Sequence, residues 1–483
     1  MFKSLRHLLI PLSVMSSLPA AAQYSPLDAL PSGSRSTLVV EQLESGQTLL
    51  TEGDANQLFP PASTLKLVTA LAAKLELGDE FRFQTRLFKN QHDLIFEFGG
   101  DPTLMRADLE QMLRTARKSG LKQIKGDIWL DNSAFGGYDR AVGWPWDILG
   151  VCYSAPATSI SLDGNCVNGS IASQPDGTTR VYVPEHFPIH ASTVAVSVSE
   201  TEQQANKCDL ELVTQPNNQY QLQGCLVKRD KPLPLKFAVQ DPGRYTQRTL
   251  YSLLRQMGIE LQGEIKIGRP THGKRQLIVS HSSAPLPELL QQMLQDSDNL
   301  IADSLTKTLG RQFYIQPGSF RNGTEAIKQI LFAQAGIDLS EAQLADGSGL
   351  SRNNRVSRQQ MSAVLRYLWQ NDTKLGLLAK MPTSGLSGTL HYRRSMRQPD
   401  VKGKIIAKSG SVYGSYNMAG FGLDQQGRPN VLFVQFVSEY HPPEKQLGDT
   451  ASVAPITRFE NAFYQDVVAF SQRKPRNALT TEK

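Results

Sequence analysis

The chain has 483 residues, of which 40% are hydrophobic and 20% charged, and its formal net charge is +6. This composition is typical of a globular protein, and the length exceeds what one compact core holds, so we expect two or more domains. The mildly basic balance lies far below that of nucleic-acid-binding proteins, and we therefore expect no nucleic-acid partner.

The first 22 residues have the pattern of a secretory signal peptide. Lys3 and Arg6 precede an apolar stretch from Leu8 to Leu18, and small residues follow as far as Ala22, after which we expect cleavage. The alternative, a membrane anchor, is disfavoured because Pro11 and several serines interrupt a stretch that is shorter than the ~20 residues of a membrane span. We expect a periplasmic protein with at most peripheral membrane association.

A hairpin and a helix are predicted next. Ser36 to Leu43 and Gln47 to Glu52 have strand-like patterns on either side of a Glu-Ser-Gly turn. Apolar residues then recur at helical spacing from Ser63 to Leu77, and Gly78 ends the pattern. Ser63 would therefore lie at a helix N-terminus, where backbone amides and the helix dipole stabilise a developing oxyanion.

Short strand-like runs separated by turn residues extend from about residue 81 to residue 270, and they predict a mainly-β insertion. The four cysteines lie in this stretch, far from the later motifs in sequence: Cys152, Cys166, Cys208 and Cys225. In an exported protein such a cluster favours disulfides, and four cysteines allow three pairings. Pairing in chain order closes the shortest loops and is preferred; a zinc site is disfavoured because there is no Cys-x-x-Cys and no nearby histidine pair.

Helical patterns resume at Leu286 and are interrupted at Ser297-Asp298-Asn299, where one helix should end and the next be capped. Further on, Lys408 ends the strand-like run Lys402 to Ala407 and should project from a sheet edge. The segment Thr457 to Phe470 is predicted to be an amphipathic helix that packs on the sheet of the hairpin and the Lys408 strands.

Three short motifs occur in one order: Ser63-Thr64-Leu65-Lys66, Ser297-Asp298-Asn299 and Lys408-Ser409-Gly410. In the first, the lysine stands three residues after the serine, so on a helix the amine can reach the hydroxyl and activate it as a nucleophile. Single motifs are weak signals, since Ser-x-Asn recurs at Ser351 and Ser415 and Lys-Ser-Gly recurs at Lys118. The Lys118 copy ends an amphipathic helical pattern, and its glycine is typical of a helix cap.

The motifs, together with Asp346-Gly347-Ser348-Gly349-Leu350-Ser351-Arg352 and the 233 residues that separate Ser63 from Ser297, resemble those of the class C low-molecular-mass penicillin-binding proteins. This group comprises D-alanyl-D-alanine carboxypeptidases and endopeptidases such as penicillin-binding protein 4. The resemblance implies an α+β fold, in which an antiparallel sheet with helices on both faces forms a domain like that of penicillin-binding proteins and serine β-lactamases. We expect this domain at residues 23–80 and 271–483, with the insertion at 81–270.

The resemblance also implies a role for each residue of the motifs. Ser63 would be the nucleophile and Lys66 its base, kept neutral by burial and by a neighbouring cation such as Lys408. Ser297 would relay a proton to the leaving amine, and Asn299 would orient Lys66 and the substrate. The substrate carboxylate would be bound by the third motif, at Lys408, Ser409, Gly410 and Ser411. The amides of Ser63 and Ser411 would form the oxyanion hole.

Two further positions match residues that read the diaminopimelate side chain in this family. Asp163 would meet its ammonium group, and Arg352 would meet its carboxylate. Other interpretations remain open, because Asp163-Gly164 could be a simple turn and Arg352 a surface cation. The expected substrates are peptidoglycan stem peptides, with β-lactams as covalent inhibitors.

Two rival functions share parts of this pattern. A β-lactamase-like hydrolase would use Ser63, Lys66 and Lys408, but no convincing glutamate motif for activating the deacylating water lies between the first two motifs. A non-catalytic cell-wall scaffold would have no need of the intact set of reactive residues. We expect no metal and no cofactor, and the oligomeric state is left open.

Overall fold

The computed structural model describes residues 25–270, 273–442 and 453–473. The expected signal peptide, residues 1–22, lies outside the described residues. The predicted hairpin is confirmed and consists of β1 (Arg35–Gln42) and β2 (Thr48–Glu52). A short strand, β3 (Leu58–Phe59), and a helix, α1 (Lys66–Leu77), follow it. The helix begins later than predicted, because Ala62–Leu65 forms a 3-10 turn and the α-helix starts at Lys66.

The segment after α1 is mainly strands, as predicted, and it also holds three helices. Its elements in chain order are β4 (Gln84–Asn90), β5 (Asp93–Phe98), α2 (Arg106–Lys118), β6 (Gln123–Ile124), β7 (Ile128–Asp131), β8 (Cys166–Ser173), β9 (Thr179–Tyr182), β10 (His190–Thr193), β11 (Val196–Val198), α3 (Glu200–Asn206), β12 (Leu210–Gln215), β13 (Gln219–Val227), β14 (Leu233–Ala238), α4 (Pro242–Met257), β15 (Glu260–Leu261) and β16 (Ile265–Ile267). Helix α4 was not predicted, although Asp241 caps its N-terminus and Gly258 ends it in the left-handed conformation.

Helices dominate the next part of the chain, and strands return near its end. The elements are β17 (Gln276–Ser282), α5 (Leu286–Gln295), α6 (Asn299–Tyr314), α7 (Phe320–Ala335), β18 (Val356–Ser357), α8 (Arg358–Leu375), β19 (Ile405–Val412), β20 (Ser415–Leu423), β21 (Pro429–Ser438) and α9 (Pro455–Ser471). The predicted break between α5 and α6 and the predicted final helix are confirmed.

A five-stranded antiparallel sheet in the order β19-β20-β21-β1-β2 organises the first and last parts of the chain. Alternate residues of β1 point to opposite faces. Val39 packs with helices α1, α5, α6 and α8 on one face, whereas Leu38 and Val40 pack with α9 on the other. The predicted α+β fold with helices on both faces is therefore confirmed. Strand β19 is an edge strand, so the loops and helices of the site lie against it.

A second five-stranded sheet, in the order β16-β7-β5-β4-β17, supports the inserted segment. It is mixed, since β5 pairs in parallel with β7 and antiparallel with β4. Helices α2 and α4 cover it around Leu109 and Leu253. Strand β17 follows the expected boundary at residue 270 but pairs with β4. We keep the domain division as a proposal, and this pairing would place its second boundary after residue 282.

Both preferred disulfides are present. Cys152 is bonded to Cys166 across a separation of 14 residues, and Cys208 is bonded to Cys225 across 17 residues. The second disulfide joins β13 to the loop before β12. The first lies beside the site, although its cysteines are far from the motifs in sequence, because both line a cavity that also contains Ser297.

Candidate active site

Ser63 lies in the 3-10 turn that precedes α1, so its hydroxyl is half-buried at the start of a buried helix. The turn is held by Thr64, whose Oγ1 donates to the carbonyl of Pro61 at 2.7 Å. Ala62 has a φ of 47°, a left-handed value that is costly for a residue with a side chain. Gly349 also has a positive φ, and a Cβ there would approach the Ala62 carbonyl to 1.9 Å. Close packing thus fixes the turn that contains Ser63.

Lys66 is fully buried one turn after Ser63, and its Nζ makes three hydrogen bonds. It donates to Ser63 Oγ at 2.9 Å, to Asn299 Oδ1 at 2.6 Å and to the Ser348 carbonyl at 2.7 Å. Burial lowers the pKa of Lys66 to about 8, against the nearby carboxylates of Asp303, Asp346 and Asp298, which raise it. The predicted proximity of lysine and serine is found, and burial, rather than a second cation, accounts for the lowered pKa.

The second motif bridges the gap between α5 and α6. Ser297 has a φ of 59°, and the following Asp298 caps α6 by accepting a hydrogen bond from the amide of Ile301 at 2.9 Å. Asn299 is the first residue of α6, and both the oxygen and the nitrogen of its side-chain amide form hydrogen bonds at the site. Its Oδ1 accepts from Lys66, and its Nδ2 donates to the Tyr153 carbonyl at 2.7 Å. A residue of the insertion therefore orients Asn299.

Lys408 lies in the middle of β19 rather than at a strand end, because the strand continues for four residues beyond Lys408, to Val412, where the chain turns. Its fully buried Nζ donates to Ser297 Oγ at 3.0 Å and to the Ser409 carbonyl at 2.9 Å. Burial lowers the pKa of Lys408 well below its usual value, and repulsion from Lys66 and Arg393 lowers it further. The second and third motifs are thus joined directly.

The rest of the third motif lies alongside the nucleophile. Ser409 Oγ is within hydrogen-bond distance of Thr389 Oγ1, at 2.9 Å. A Cβ on Gly410 would lie 2.9 Å from the amide nitrogen of Ser63 and 2.8 Å from that of Thr64, so only glycine allows β19 to pass so close. Ser411 and Ser63 line the same cavity. The edge strand and the nucleophile's turn are therefore in contact.

Two buried carboxylates support the site: Asp346, which begins one of the motifs that carried the resemblance but had no role assigned to it, and Asp303, which lies outside the motifs. Asp346 accepts hydrogen bonds from the amides of Gly349 and Ser351, and Asp303 Oδ1 accepts from the amides of Gly347 and Ser348. Asp303 holds the loop whose Ser348 carbonyl contacts Lys66, and its burial and the charge of Asp346 raise its pKa well above the usual value. Its position four residues after Asn299, on the same helical face, was the available sequence signal.

The cavity beside Ser63, here called the nucleophile cavity, has a volume of about 590 Å³. Its lining includes Ser297 and Asn299, together with Tyr153, Asp147 and Arg352. The Arg352 guanidinium lies over the ring of Tyr413, 5.2 Å from its centre. The exposed charged groups of this lining are the Arg352 cation and the carboxylates of Asp147 and Asp296.

Asp163 lines a second cavity of about 900 Å³, the insertion cavity, which also contains Ser297 and Asn299. Both of its carboxylate oxygens accept hydrogen bonds, from the amide of Arg106 and from the Tyr245 hydroxyl, each at 2.9 Å. Asp147, in contrast, has no hydrogen-bond partner among the described residues and shares the nucleophile cavity with Arg352. Asp163 and Arg352 thus both lie near the site, on different cavities.

Known proteins match this chain over most of its length. The family described as "D-Ala-D-Ala carboxypeptidase 3 (S13) family" matches residues 22–458. D-alanyl-D-alanine carboxypeptidase DacB of Haemophilus influenzae is 37% identical over 473 residues, covering 95% of this chain and 97% of its own. D-alanyl-D-alanine carboxypeptidase of Actinomadura sp. (strain R39) is 26% identical, covering 87% of this chain and 83% of its own.

Solved structures give the same result. Penicillin binding protein 4 (dacB) from Haemophilus influenzae is 37% identical with a TM-score of 0.84, covering 93% of this chain and 99% of its own. The same protein complexed with a β-lactam matches with a TM-score of 0.79. A predatory endopeptidase from Bdellovibrio bacteriovorus, 18% identical over 91% of this chain and 94% of its own, shares the fold with a TM-score of 0.51. The chain belongs to the D-Ala-D-Ala carboxypeptidase 3 (S13) family.

Proposed function

We propose that this chain is a serine DD-peptidase that cleaves the terminal D-Ala-D-Ala bond of peptidoglycan stem peptides through an acyl-enzyme on Ser63. The observation that carries this proposal is the contact between Lys66 Nζ and Ser63 Oγ at 2.9 Å, with the amine fully buried. A buried lysine with a lowered pKa is a base that can remove the serine proton near neutral pH.

In the acylation step, Ser63 Oγ attacks the carbonyl carbon of the penultimate D-Ala, and Lys66 Nζ takes its proton. The amides of Ser63 and Ser411 stabilise the oxyanion, which the close approach at Gly410 supports. The carbon–nitrogen bond then breaks. Ser297 Oγ gives its proton to the leaving amine and takes one from Lys408 Nζ, to which it is already hydrogen-bonded.

Deacylation reverses these proton movements, with water in the place of the leaving amine. Water attacks the ester, and its proton passes through Ser297 to Lys408, which is neutral after acylation. The ester bond breaks, and Ser63 Oγ recovers a proton from the Lys66 ammonium. Each lysine ends in the state in which it began, so one water is consumed and one D-Ala is released per turnover.

The repulsion between the two buried lysines gives the terminal carboxylate of the substrate a role in catalysis. Lys66 and Lys408 repel each other when both are charged, as the lowered pKa of Lys408 reflects. A terminal carboxylate bound at Lys408 and Ser409 favours the charged form of Lys408. Lys66 is then left neutral, which is the state that the attack requires.

We propose further that the enzyme also cleaves D-Ala-diaminopimelate cross-links, since the nucleophile cavity and the insertion cavity, which share Ser297 and Asn299, give room for a second peptide. Arg352 is exposed at the nucleophile cavity and suits the side-chain carboxylate of diaminopimelate. Asp163 remains a candidate for the ammonium group, and Asp147 is a second candidate because its oxygens are free of hydrogen bonds among the described residues.

Penicillin should acylate Ser63 and be hydrolysed slowly. The relative solved with a β-lactam supports acylation. Among the described residues, no glutamate lines the nucleophile cavity or the insertion cavity, so neither contains a counterpart of a glutamate that activates the deacylating water. A stable adduct is therefore expected, in contrast to a β-lactamase.

Peptidoglycan lies outside the cytoplasmic membrane, and we propose that the enzyme acts in the periplasm after removal of residues 1–22. In the ranges that the structure describes, each helix is too short or too polar to cross a bilayer. The signal peptide is tested by sequencing the N-terminus of the exported protein, which should begin at Gln23.

The main proposal is tested with labelled penicillin and with a stem pentapeptide that ends in D-Ala-D-Ala. The wild-type protein should form a covalent adduct on Ser63 and release D-Ala, and Ser63→Ala should do neither. Lys408→Ala should lose at least a hundredfold in kcat/KM, whereas Lys118→Ala, in the other Lys-Ser-Gly sequence, should retain activity because Lys118 only ends α2. A wild-type protein without adduct or D-Ala release would indicate a non-catalytic scaffold.

A further inference from the structure

A third cavity, here called the arginine cavity, lies where the chain enters and leaves the inserted segment, away from the catalytic motifs. Its volume is about 270 Å³, and four arginines line it: Arg82, Arg86, Arg269 and Arg311. Arg82 precedes β4, Arg269 follows β16, and Arg311 lies in the last turns of α6, the helix that begins with Asn299. Four arginines from three separate parts of the chain therefore line one small cavity.

The positive charge of the arginine cavity is only partly neutralised by the protein. Glu97 is the one acidic residue of the lining, and its carboxylate is already bonded to Arg86 at 3.1 Å and to Arg275 at 3.2 Å. Arg269 and Arg311 form neither a hydrogen bond nor an ion pair with any described residue. Four positive charges against one negative charge in a concave site create a potential that concentrates anions.

The chemical nature of the residues that line the arginine cavity indicates what kind of anion it binds. Guanidinium groups bind carboxylates and phosphates through paired hydrogen bonds. Phe81 and Ala134 add an apolar wall, and Ser133 adds a polar group. A bare phosphate would use only the guanidinium groups, whereas a peptide with carboxylates on short aliphatic stems would also cover the apolar wall.

We propose that the arginine cavity is a second peptidoglycan site, which binds the carboxylates of an acidic stem peptide while another peptide occupies the catalytic site. This inference rests on the proposed function, because it takes the substrate polymer as the source of the acidic peptide. Since one wall belongs to α6, a peptide held here would anchor the polymer against the helix that carries Asn299.

The test uses protein whose Ser63 has first been acylated by penicillin, so that the catalytic site is blocked. The probe is N-acetyl-L-Ala-γ-D-Glu-meso-diaminopimelate, which carries three carboxylates, and its binding is measured by isothermal titration calorimetry. We expect saturable binding that weakens with added salt. The Arg269→Gln/Arg311→Gln variant should bind at least tenfold more weakly, with unchanged acylation by penicillin.

A matched variant, Lys118→Gln/Arg321→Gln, removes two positive charges elsewhere on the surface and should bind the probe as the wild type does. Equal binding by the wild type and the Arg269/Arg311 variant would overturn the proposal. Saturable binding of inorganic phosphate or pyrophosphate without binding of the peptide would overturn it as well. Failure of penicillin to acylate the wild type is a separate result, which counts against the proposed function itself.

Discussion

At the scale of single residues, the site depends on how buried charges are compensated. Lys66 is fully buried, and burial lowers its pKa to about 8, while Asp303, Asp346 and Asp298 oppose the shift. Asp303 Oδ1 is bonded to two amides of the loop at Ser348, and its Oδ2 has no partner among the described residues. Asp303 is therefore a positioning residue that also sets the basicity of Lys66.

The rate of acylation by penicillin should fall about tenfold per pH unit below a pH of about 8, because the neutral form of Lys66 is then being protonated. Asp303→Asn keeps an acceptor for the two amides but removes a negative charge that raises the pKa of Lys66. Its rate profile should shift to lower pH. Rates measured with fluorescent penicillin across the pH range test this.

The matched control for this prediction is Asp338→Asn, an exposed carboxylate that caps a loop amide away from the site. Its profile should coincide with that of the wild type. If the pH–rate profile of Asp303→Asn also coincides with that of the wild type, Asp303 has no charge that affects the pKa of Lys66.

A further prediction concerns the specificity for diaminopimelate peptides and the roles of Arg352, Asp147 and Asp163. Arg352→Ala should lower kcat/KM at least tenfold for a diaminopimelate peptide and leave a lysine peptide, which lacks the side-chain carboxylate, nearly unaffected. Asp147→Asn should weaken both peptides if Asp147 binds the ammonium group. Asp163→Asn should then have a small effect on KM, because both Asp163 oxygens are engaged by the protein.

If Asp163→Asn raises KM and Asp147→Asn does not, Asp163 is the residue that binds the ammonium group. The free energy of unfolding of each variant should be measured in parallel. A loss of stability in Asp163→Asn alone would follow from its bonds to Arg106 and Tyr245 and would not by itself indicate a role in binding.

At the scale of elements, the three motifs meet because three different kinds of local structure bring their side chains together at the site. Ser63 lies in a 3-10 turn, and Lys408 lies in the edge strand β19. Ser297 lies between α5 and α6 and itself has a left-handed backbone conformation. The insertion adds a fourth contact, from the Tyr153 carbonyl to Asn299. Tyr153 follows Cys152 directly, so the first disulfide restrains a group that touches the site.

The two disulfides close loops of similar length, 14 and 17 residues, and removing either should lower the free energy of unfolding by about 3 kcal/mol. Their effects on activity should differ. Cys152→Ser/Cys166→Ser should reduce kcat/KM at least tenfold, because the Tyr153 carbonyl loses its restraint beside Asn299. Cys208→Ser/Cys225→Ser should retain kcat/KM under conditions where both variants are folded.

Urea denaturation gives the stabilities, and D-Ala release gives the activities. Equal kcat/KM in the two disulfide variants would mean that Asn299 is held by the peptidase residues alone. The Cys208 pair is the appropriate control because neither Cys208 nor Cys225 lines the nucleophile cavity or the insertion cavity.

At the scale of the whole molecule, the inserted segment and the peptidase sheet are joined through α6. Lys307 is fully buried on this helix, and its Nζ donates to the carbonyls of Tyr138 and Ala157, at 2.8 and 2.7 Å. The ring of Phe320 lies beneath the same ammonium, 4.6 Å away. One side chain therefore connects the helix of Asn299 to two loops of the insertion.

Lys307→Met preserves most of the volume and leaves two buried carbonyls unpaired, so the free energy of unfolding should fall by about 1–3 kcal/mol. Burial lowers the pKa of Lys307 to about 8 in the folded protein, below its unfolded value. Between these pKa values the unfolded chain binds more protons, so the wild type gains stability as pH rises. The difference between wild type and Lys307→Met should therefore grow from pH 7.5 to pH 9.5.

Denaturation at both pH values measures this difference, and Lys328→Met is the control, since Lys328 bonds the Ala342 carbonyl at a part-buried site. If the difference in the free energy of unfolding between the wild type and Lys307→Met stays constant with pH, Lys307 is protonated in both the folded and the unfolded state.

The sequence alone determined the local elements and the family. The hairpin, the interruption at Ser297, the final helix and the pairing of the cysteines follow from periodicity, capping residues and short loop lengths, which are properties of neighbouring residues. The motif order and the long separation between Ser63 and Ser297 determined the resemblance.

Only the tertiary structure decided which groups surround the reactive lysines. Lys66 meets Asn299 and Ser348 across 233 and 282 positions of sequence, and Tyr153 meets Asn299 across 146. Contacts at such separations depend on how the sheets and helices pack, which local patterns do not encode. The resemblance implied the burial of Lys66, but the burial of Lys408 and the carboxylates that oppose the pKa shift of Lys66 are properties of the assembled core and were not assigned from the motifs.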